Sequence, residues 1–549
     1  MSPDMTKDQL KLATLLVIAG AFMFFGLGFV HLFDWDEINF AECTREMLMT
    51  GDFLEVKINF EPFWEKPPFF MWTQASMMSI FGINEFSARL PNAIIGIFTL
   101  FTLYNVGKAH ISREFGLLWA LGFCISLLPY LYFKSGILDP MFNYFIFLGI
   151  IYHIKYYEKK LIINIILSGV FIGLAVLTKG PVALLIFGLT FLIVHLLQRF
   201  KYWPDFKALS LFTAALLLVG GTWFFFLLLT GKTQIISDFI TYQIRLFTTE
   251  DAGHGGPFFY HWIVLLLGCF PISIFAIRHL FTWHSIHKEL LSLWMLVSFW
   301  VVLLLFSIVQ TKIVHYSSFC YFPLTYFAAL SIRDFVYKKI GWSIWEKALF
   351  IFIAFLFAAI TCIIVLVPID TNYLLSFGIP LDLFSQEMLV HRLKWSPWLL
   401  LGALALFLSP FILFFSSKIN RFNRFGISAI FIFLWMALGI CYIIPNVENL
   451  SQKVCIDFYQ EKSREGGLIQ TIGFKSYAKY FYGNTDHPLK TDSLANPNYY
   501  PGKEIYLVGR IENKAEDQAN FPNFKIIKSS GGFVFWQKIS SNPSSVVPN

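Results

Sequence analysis

Charge is scarce in this chain: Asp, Glu, Lys and Arg make up 14% of 549 residues, against 56% hydrophobic residues and 64 Phe. Soluble proteins carry about 25% charged residues, so a soluble fold is excluded. The formal net charge of +7 is therefore no sign of a nucleic-acid partner; the cations sit in short loops, where they report membrane orientation. Cysteine is sparse too. Of seven, Cys124, Cys269, Cys320, Cys362 and Cys441 fall inside apolar runs as small hydrophobes, which excludes a disulfide scaffold and leaves only a Cys43–Cys455 bridge to consider. No internal repeat or low-complexity segment is present. His254 and His261 stand near each other, but no set of ligands has the spacing of a zinc site. The residues name no cofactor and leave a divalent metal open. Charges buried in the middle of apolar runs, the mark of a transporter's binding site, are also few, as ionisable residues gather at the ends of the runs.

What the chain has in abundance is apolar runs long enough to cross a hydrocarbon core of about 30 Å. They fall at roughly 12–32, 90–108, 114–133, 139–154, 161–178, 181–198, 208–230, 258–278, 290–309, 316–333, 347–368, 395–416 and 426–445. The first follows Lys7 and Lys11 and lacks a small-residue cleavage pattern, so it reads as a retained signal anchor. Alternate loops carry Lys155, Lys159 and Lys160, then Arg199, Lys201 and Lys207, then Arg333, Lys338 and Lys339, which assigns that side to the cytoplasm. The expected fold is an all-α polytopic membrane protein of about thirteen helices over residues 1–445. A small α/β extracytoplasmic domain follows over 446–549, with strands at Glu504–Val508, Phe524–Ile527 and Gly532–Trp536, and turns at Asn496-Pro-Asn and Tyr500-Pro-Gly.

The same alternation puts every chemically rich loop on the other face. Asp34–Pro68 carries Trp35-Asp-Glu and Trp64-Glu-Lys-Pro-Pro; Lys66 beside Glu65 is stiffened by two prolines. Ionisable groups beside lipid are costly unless they pair or act. Asp36, Glu37 and Asp139 are candidate catalytic acids. Lys66, Arg245, Lys312 and Tyr316 are candidate phosphate-binding groups, and Phe63, Trp64, Glu65, Lys179 and His315 candidate cavity residues. Simpler readings stand beside these: helix-terminal acids for Asp36 and Glu37, an N-cap for Asp139, a helix C-terminal cation for Lys179. Thr248–Gly256, with three glycines, reads as a mobile lid.

Taken in order, Asp36-Glu-x-x-Phe-Ala-Glu-Cys-Thr-Arg-Glu-Met, Trp64-Glu-Lys-Pro-Pro, Glu85-Phe-Ser-Ala-Arg-Leu-Pro, Leu138-Asp-Pro, Lys179-Gly-Pro, Arg245 and His315-Tyr resemble the lipid A 4-amino-4-deoxy-L-arabinose transferases and the protein O-mannosyltransferase-like enzymes of the GT-C class. The resemblance implies an extracytoplasmic glycosyltransferase in a bacterial inner membrane, site facing the periplasm. Its donor would be a sugar on an undecaprenyl-phosphate-type lipid and its acceptor lipid A, a glycan or a protein. Asp36 would face the acceptor, Lys66 and Arg245 would grip the donor phosphate, and Glu65 and Asp139 would be further acids of the cavity. Departures exist: Asn39 stands where those transferases commonly have Arg, no His precedes Arg245, and Val314 replaces a Pro. A transporter, or an anchor for the C-terminal domain, are the rival readings.

Overall fold

The computed structural model defines residues 6–34, 36–249, 255–281, 289–367, 370–389, 393, 395–488 and 503–539. Trp35, His254, most of the expected lid and the turns at Asn496 and Tyr500 lie outside the described residues. Helices occur at each of the thirteen expected stretches. Among the described residues six are long and apolar enough to cross a membrane: Glu85–His110, Ile162–Lys179, Leu290–Ile308, Ile344–Leu366, Trp398–Phe415 and Arg421–Ser451. A seventh forms if Phe206–Gly220 and Thr222–Leu229, bent by 55°, are taken as one span. Thirteen spans are thus not all matched by helices of spanning length. Hydropathy reads apolarity and misses breaks, and breaks shorten two of the rest. Ser126 separates Arg113–Cys124 from Leu127–Tyr132, and Pro271 lies between Tyr260–Gly268 and Ile272–Phe281.

Local sequence explains the helix ends. Ser343 and Glu346 form a reciprocal capping box at the start of Ile344–Leu366, and Asp205 caps Phe206–Gly220. Pro140 sits in the first turn of Asp139–Lys159, where its missing N–H costs nothing. The outer surface of Ile344–Leu366 leaves Phe352, Phe355 and Ile363 exposed, as suits a helix facing lipid. The interior is packed with rings: Trp119 lies against Phe115, Phe147 and Tyr326.

The C-terminal residues form a four-stranded sheet in the order β3–β4–β6–β5, with β3 Leu468–Thr471, β4 Ile505–Arg510, β5 Phe524–Ser530 and β6 Phe533–Lys538; β1 Lys57–Ile58 and β2 Glu61–Pro62 are a hairpin in the first loop. β3 and β4 are parallel and the other pairs antiparallel. The three expected strands are β4, β5 and β6; β3 and the helix Lys453–Arg464 were not foreseen. The last long helix continues to Ser451, past residue 445 where the C-terminal part was expected to begin. The inner face of the sheet, through Tyr506, Phe535 and the helix residues Ile456, Phe458 and Tyr459, packs on Leu32, Ile38 and Ala41. The helix Asp36–Thr50 is consequently covered on all sides, with Glu37 to Met47 buried without interruption. Cys43 and Cys455 are free thiols in separate packing clusters, so the bridge considered above is not formed.

Candidate active site

Four polar side chains from four elements meet at one end of the helical domain. Asp139, at the start of Asp139–Lys159, is buried and accepts from Lys179 Nζ at 2.5 Å. Lys179 is the last residue of its helix. Gly180 ends that helix at φ +97°, and a Cβ there would lie 2.7 Å from the Phe239 ring; only glycine permits both the turn and the close approach. His315 Nε2 stands between two carboxylates, 3.7 Å from Asp139 Oδ2 and 3.6 Å from Asp36 Oδ2. The Asp36 side chain is 41% exposed against 4% for Asp139. One acid is locked in an ion pair while the other faces open space.

Lys66 and Arg245 meet through a residue between them. Lys66 Nζ lies 5.0 Å from the centroid of Tyr242 and the Arg245 guanidinium 5.1 Å from the same ring, an arrangement that holds two like charges close by the ring's negative face. Tyr242 Oη donates to Glu65 at 3.0 Å and Gln243 donates to the Glu65 carbonyl at 3.3 Å, fixing the Trp64-Glu-Lys-Pro-Pro turn on the helix Thr233–Thr248. Lys66 has no hydrogen bond or ion pair among the described residues. Burial, with Lys179 adding, pushes its ammonium below the usual lysine range against the pull of Glu65, Asp36 and Asp139. Lys66, Asp139, Lys179, Gln243 and Tyr316 line one narrow pocket of about 40 Å³. A larger cavity of about 310 Å³, lined mostly by apolar residues such as Phe25, Phe29 and Pro445, reaches His315 from the other side.

Two expected site residues are committed elsewhere. Glu37 forms a two-pronged pair with Arg89, at 2.9 and 2.8 Å, and accepts the amides of Phe33 and Gly136. Burial would raise its pKa, but Arg89 outweighs it and holds the carboxyl below its usual range. With both oxygens filled it cannot take a proton from a substrate. Arg89 also donates to the carbonyls of Leu27, Val30 and His31, so the pair is a structural clamp. Lys312 Nζ donates to the carbonyls of Phe306, Ser307 and Val309; it caps the helix Leu290–Ile308 and is unavailable to a phosphate. Phe63 packs against the core and Trp64 is exposed. Tyr316 carries Lys179 over its ring at 5.0 Å. Among the described residues no three His, Cys, Asp or Glu side chains are grouped to hold a metal.

Tyr242 and Gln243 were missed as site residues, though both stand within three residues of Arg245. Their signal was helical spacing: Tyr242 precedes Arg245 by three residues and shares its face.

Comparison with known proteins bears on the fold. Residues 65–224 match a family model described as dolichyl-phosphate-mannose-protein mannosyltransferase. An uncharacterized protein of Aquifex aeolicus is 29% identical over 312 residues, 56% of this chain and 69% of that protein. An undecaprenyl phosphate-alpha-4-amino-4-deoxy-L-arabinose arabinosyl transferase of Wigglesworthia glossinidia brevipalpis is 26% identical over 321 residues; this chain covers 56% of its length. The crystal structure of ArnT from Cupriavidus metallidurans bound to undecaprenyl phosphate superposes with a TM-score of 0.77 at 16% identity, covering 96% of this chain and 98% of that one. The chain has the GT-C glycosyltransferase fold. Within that GT-C frame the polar cluster, the two cavities and the sheet-covered first loop all belong to one end of the helices.

Proposed function

We propose that this protein is a membrane glycosyltransferase that moves a sugar from a polyprenyl-phosphate donor to a hydroxyl acceptor, on the extracytoplasmic face assigned by the loop cations. The observation that carries the reading is the pair Lys66 and Arg245 on one tyrosine ring, with Lys66 poor in protein partners beside a pocket. Breaking the sugar–phosphate bond gathers negative charge on the departing lipid phosphate. Cations already fixed beside the pocket stabilise that charge without reorganising.

In this reading the donor phosphate sits at Lys66 and Arg245, and its sugar points toward His315, which lines the larger cavity. The acceptor oxygen attacks the anomeric carbon as the bond to the phosphate oxygen breaks. The electron pair leaves with the phosphate, the acceptor proton passes to Asp36, and the configuration inverts. Asp36 suits this role because it is the exposed acid of the pair. Asp139, held by Lys179, orients His315. An acid edge favours a neutral hydroxyl over an acceptor that is already anionic, such as a lipid A phosphate. Transport is disfavoured because the ionisable groups collect at helix ends.

The test is mass spectrometry of lipid, lipopolysaccharide and envelope-protein fractions from a deletion strain complemented with wild type, Lys66→Ala or Asp36→Asn. The expected result is a glycan mass lost on deletion, restored by wild type, and reduced roughly 100-fold or more by Lys66→Ala. Full restoration by Lys66→Ala removes the phosphate-gripping role. An unchanged glycan profile on deletion removes the transferase reading altogether.

A further inference from the structure

At the other end of the helical domain lies a cavity that the transfer reaction does not use. It measures about 200 Å³, room for a stretch of hydrocarbon chain, and lies among the helices Asp139–Lys159, Ile162–Lys179, Val182–Leu197 and Phe206–Gly220. Its walls are apolar, with Ile165, Phe187, Phe191 and Phe212 among them, and His153 is its one polar side chain. His153 is 2% exposed, and neither ring nitrogen has a hydrogen-bond partner among the described residues. The contrast with its neighbour is sharp: His195 engages the Phe191 carbonyl, Tyr157 Oη and the Tyr202 carbonyl.

Neutral imidazole has one N–H to satisfy, and burying a donor without a partner is costly. A water is a poor solution, because a buried water needs two to four polar partners and this cavity offers one. A single oxygen carried on a hydrocarbon chain fits both the walls and the imidazole. The mouth opens toward lipid, where Leu184 is 40% and Leu209 39% exposed. His153 lies six residues from Lys159 at the helix end, about 9 Å at 1.5 Å per residue, the distance of an ester group below a headgroup. The neighbouring loop carries Arg199, Lys201 and Lys207. Its one acid, Asp205, is spent on capping the Ala208 amide, and Phe200 and Trp203 are exposed beside it, as interfacial aromatics are.

We propose that this cavity is a binding site for an anionic phospholipid of the leaflet opposite the candidate active site, with an acyl chain between Phe187 and Phe212, an ester carbonyl accepting from His153, and the phosphate at the loop 199–207. The full-length protein is reconstituted in nanodiscs of phosphatidylglycerol or phosphatidylcholine, re-extracted into detergent, and retained lipid is counted by native mass spectrometry. Wild type is expected to keep one phosphatidylglycerol and little phosphatidylcholine. A Cβ at Gly188 meets nothing within 4 Å, so Gly188→Leu fills the cavity without a backbone clash; it and His153→Leu should each lower retention at least tenfold. Lys201→Glu with Lys207→Glu should abolish the preference for phosphatidylglycerol. Leu184→Trp, at the exposed mouth, serves as a second filling variant should Gly188→Leu fail to run as a single species. Undiminished retention in the filled variant that folds overturns the site, and equal retention of the two lipids by wild type overturns the anionic assignment.

Discussion

Side chains of the same type, drawn from similar polar motifs, end in opposite roles according to what surrounds them. Lys66 and Lys312 were both expected at a phosphate. Lys66 is left beside a pocket with a tyrosine ring for company, whereas Lys312 is absorbed by three carbonyls at a helix end. Lys312→Met is therefore expected to leave donor KM within about twofold and to lower stability by about 1–3 kcal/mol, the cost of unpaired buried carbonyls; steady-state kinetics and thermal unfolding in detergent separate the two effects. Glu37 and Asp36, adjacent in sequence, divide likewise. Glu37→Ala leaves Arg89 buried and unpaired, which costs about 3–5 kcal/mol and should appear as a loss of folded protein, while Asp36→Asn should fold normally and fail in transfer. Sequence could rank neither pair: the partners of Lys312 are backbone carbonyls with no side-chain signature, and Arg89, which claims Glu37, lies 52 residues away along the chain.

Among the elements, the helix Asp36–Thr50 does most to shape the site, and its burial has a measurable electrostatic consequence. Glu46 accepts the amides of Asn59 and Phe60, both at positive φ in the hairpin between β1 and β2. Burial, with Glu42 adding, pushes its pKa up to about 8 from 4.5. Folded protein then binds more protons than unfolded between those values, so stability falls as pH rises through that window. Glu46→Gln should flatten this dependence, measured as Tm from pH 4.5 to 8. The helices themselves were legible from hydropathy because apolar runs and Lys and Arg punctuation are strong signals. Their breaks at Ser126, Gly221 and Pro271 were not, since one residue hardly moves a window average. The hidden strand β3 escaped for a related reason: Leu468–Thr471 is four residues, all buried, too short to show alternation.

At the scale of the whole molecule, the first loop and the last hundred residues form one packed unit. Tyr482 Oη accepts from the Leu32 amide at 2.7 Å, Arg45 donates to the Thr485 carbonyl at 2.7 Å, and Gln452 bonds both the Asp34 amide and the Leu32 carbonyl. Ending the chain after Ser451 would strip this cover from Ile38 and Ala41. Such a protein is expected to lose both monodispersity on gel filtration and transfer activity, although every residue at the polar cluster remains. The clustering of charged loops on one side was readable from the sequence; that the tail closes over the first of them was not, because the contacts span more than four hundred residues and use ordinary apolar side chains. The order of synthesis gives this packing a temporal meaning. Asp36 and its helix leave the ribosome more than four hundred residues ahead of the strands that cover that helix, so for most of synthesis it stands without its cover. Completion of the tail is thus expected to precede assembly of the polar cluster.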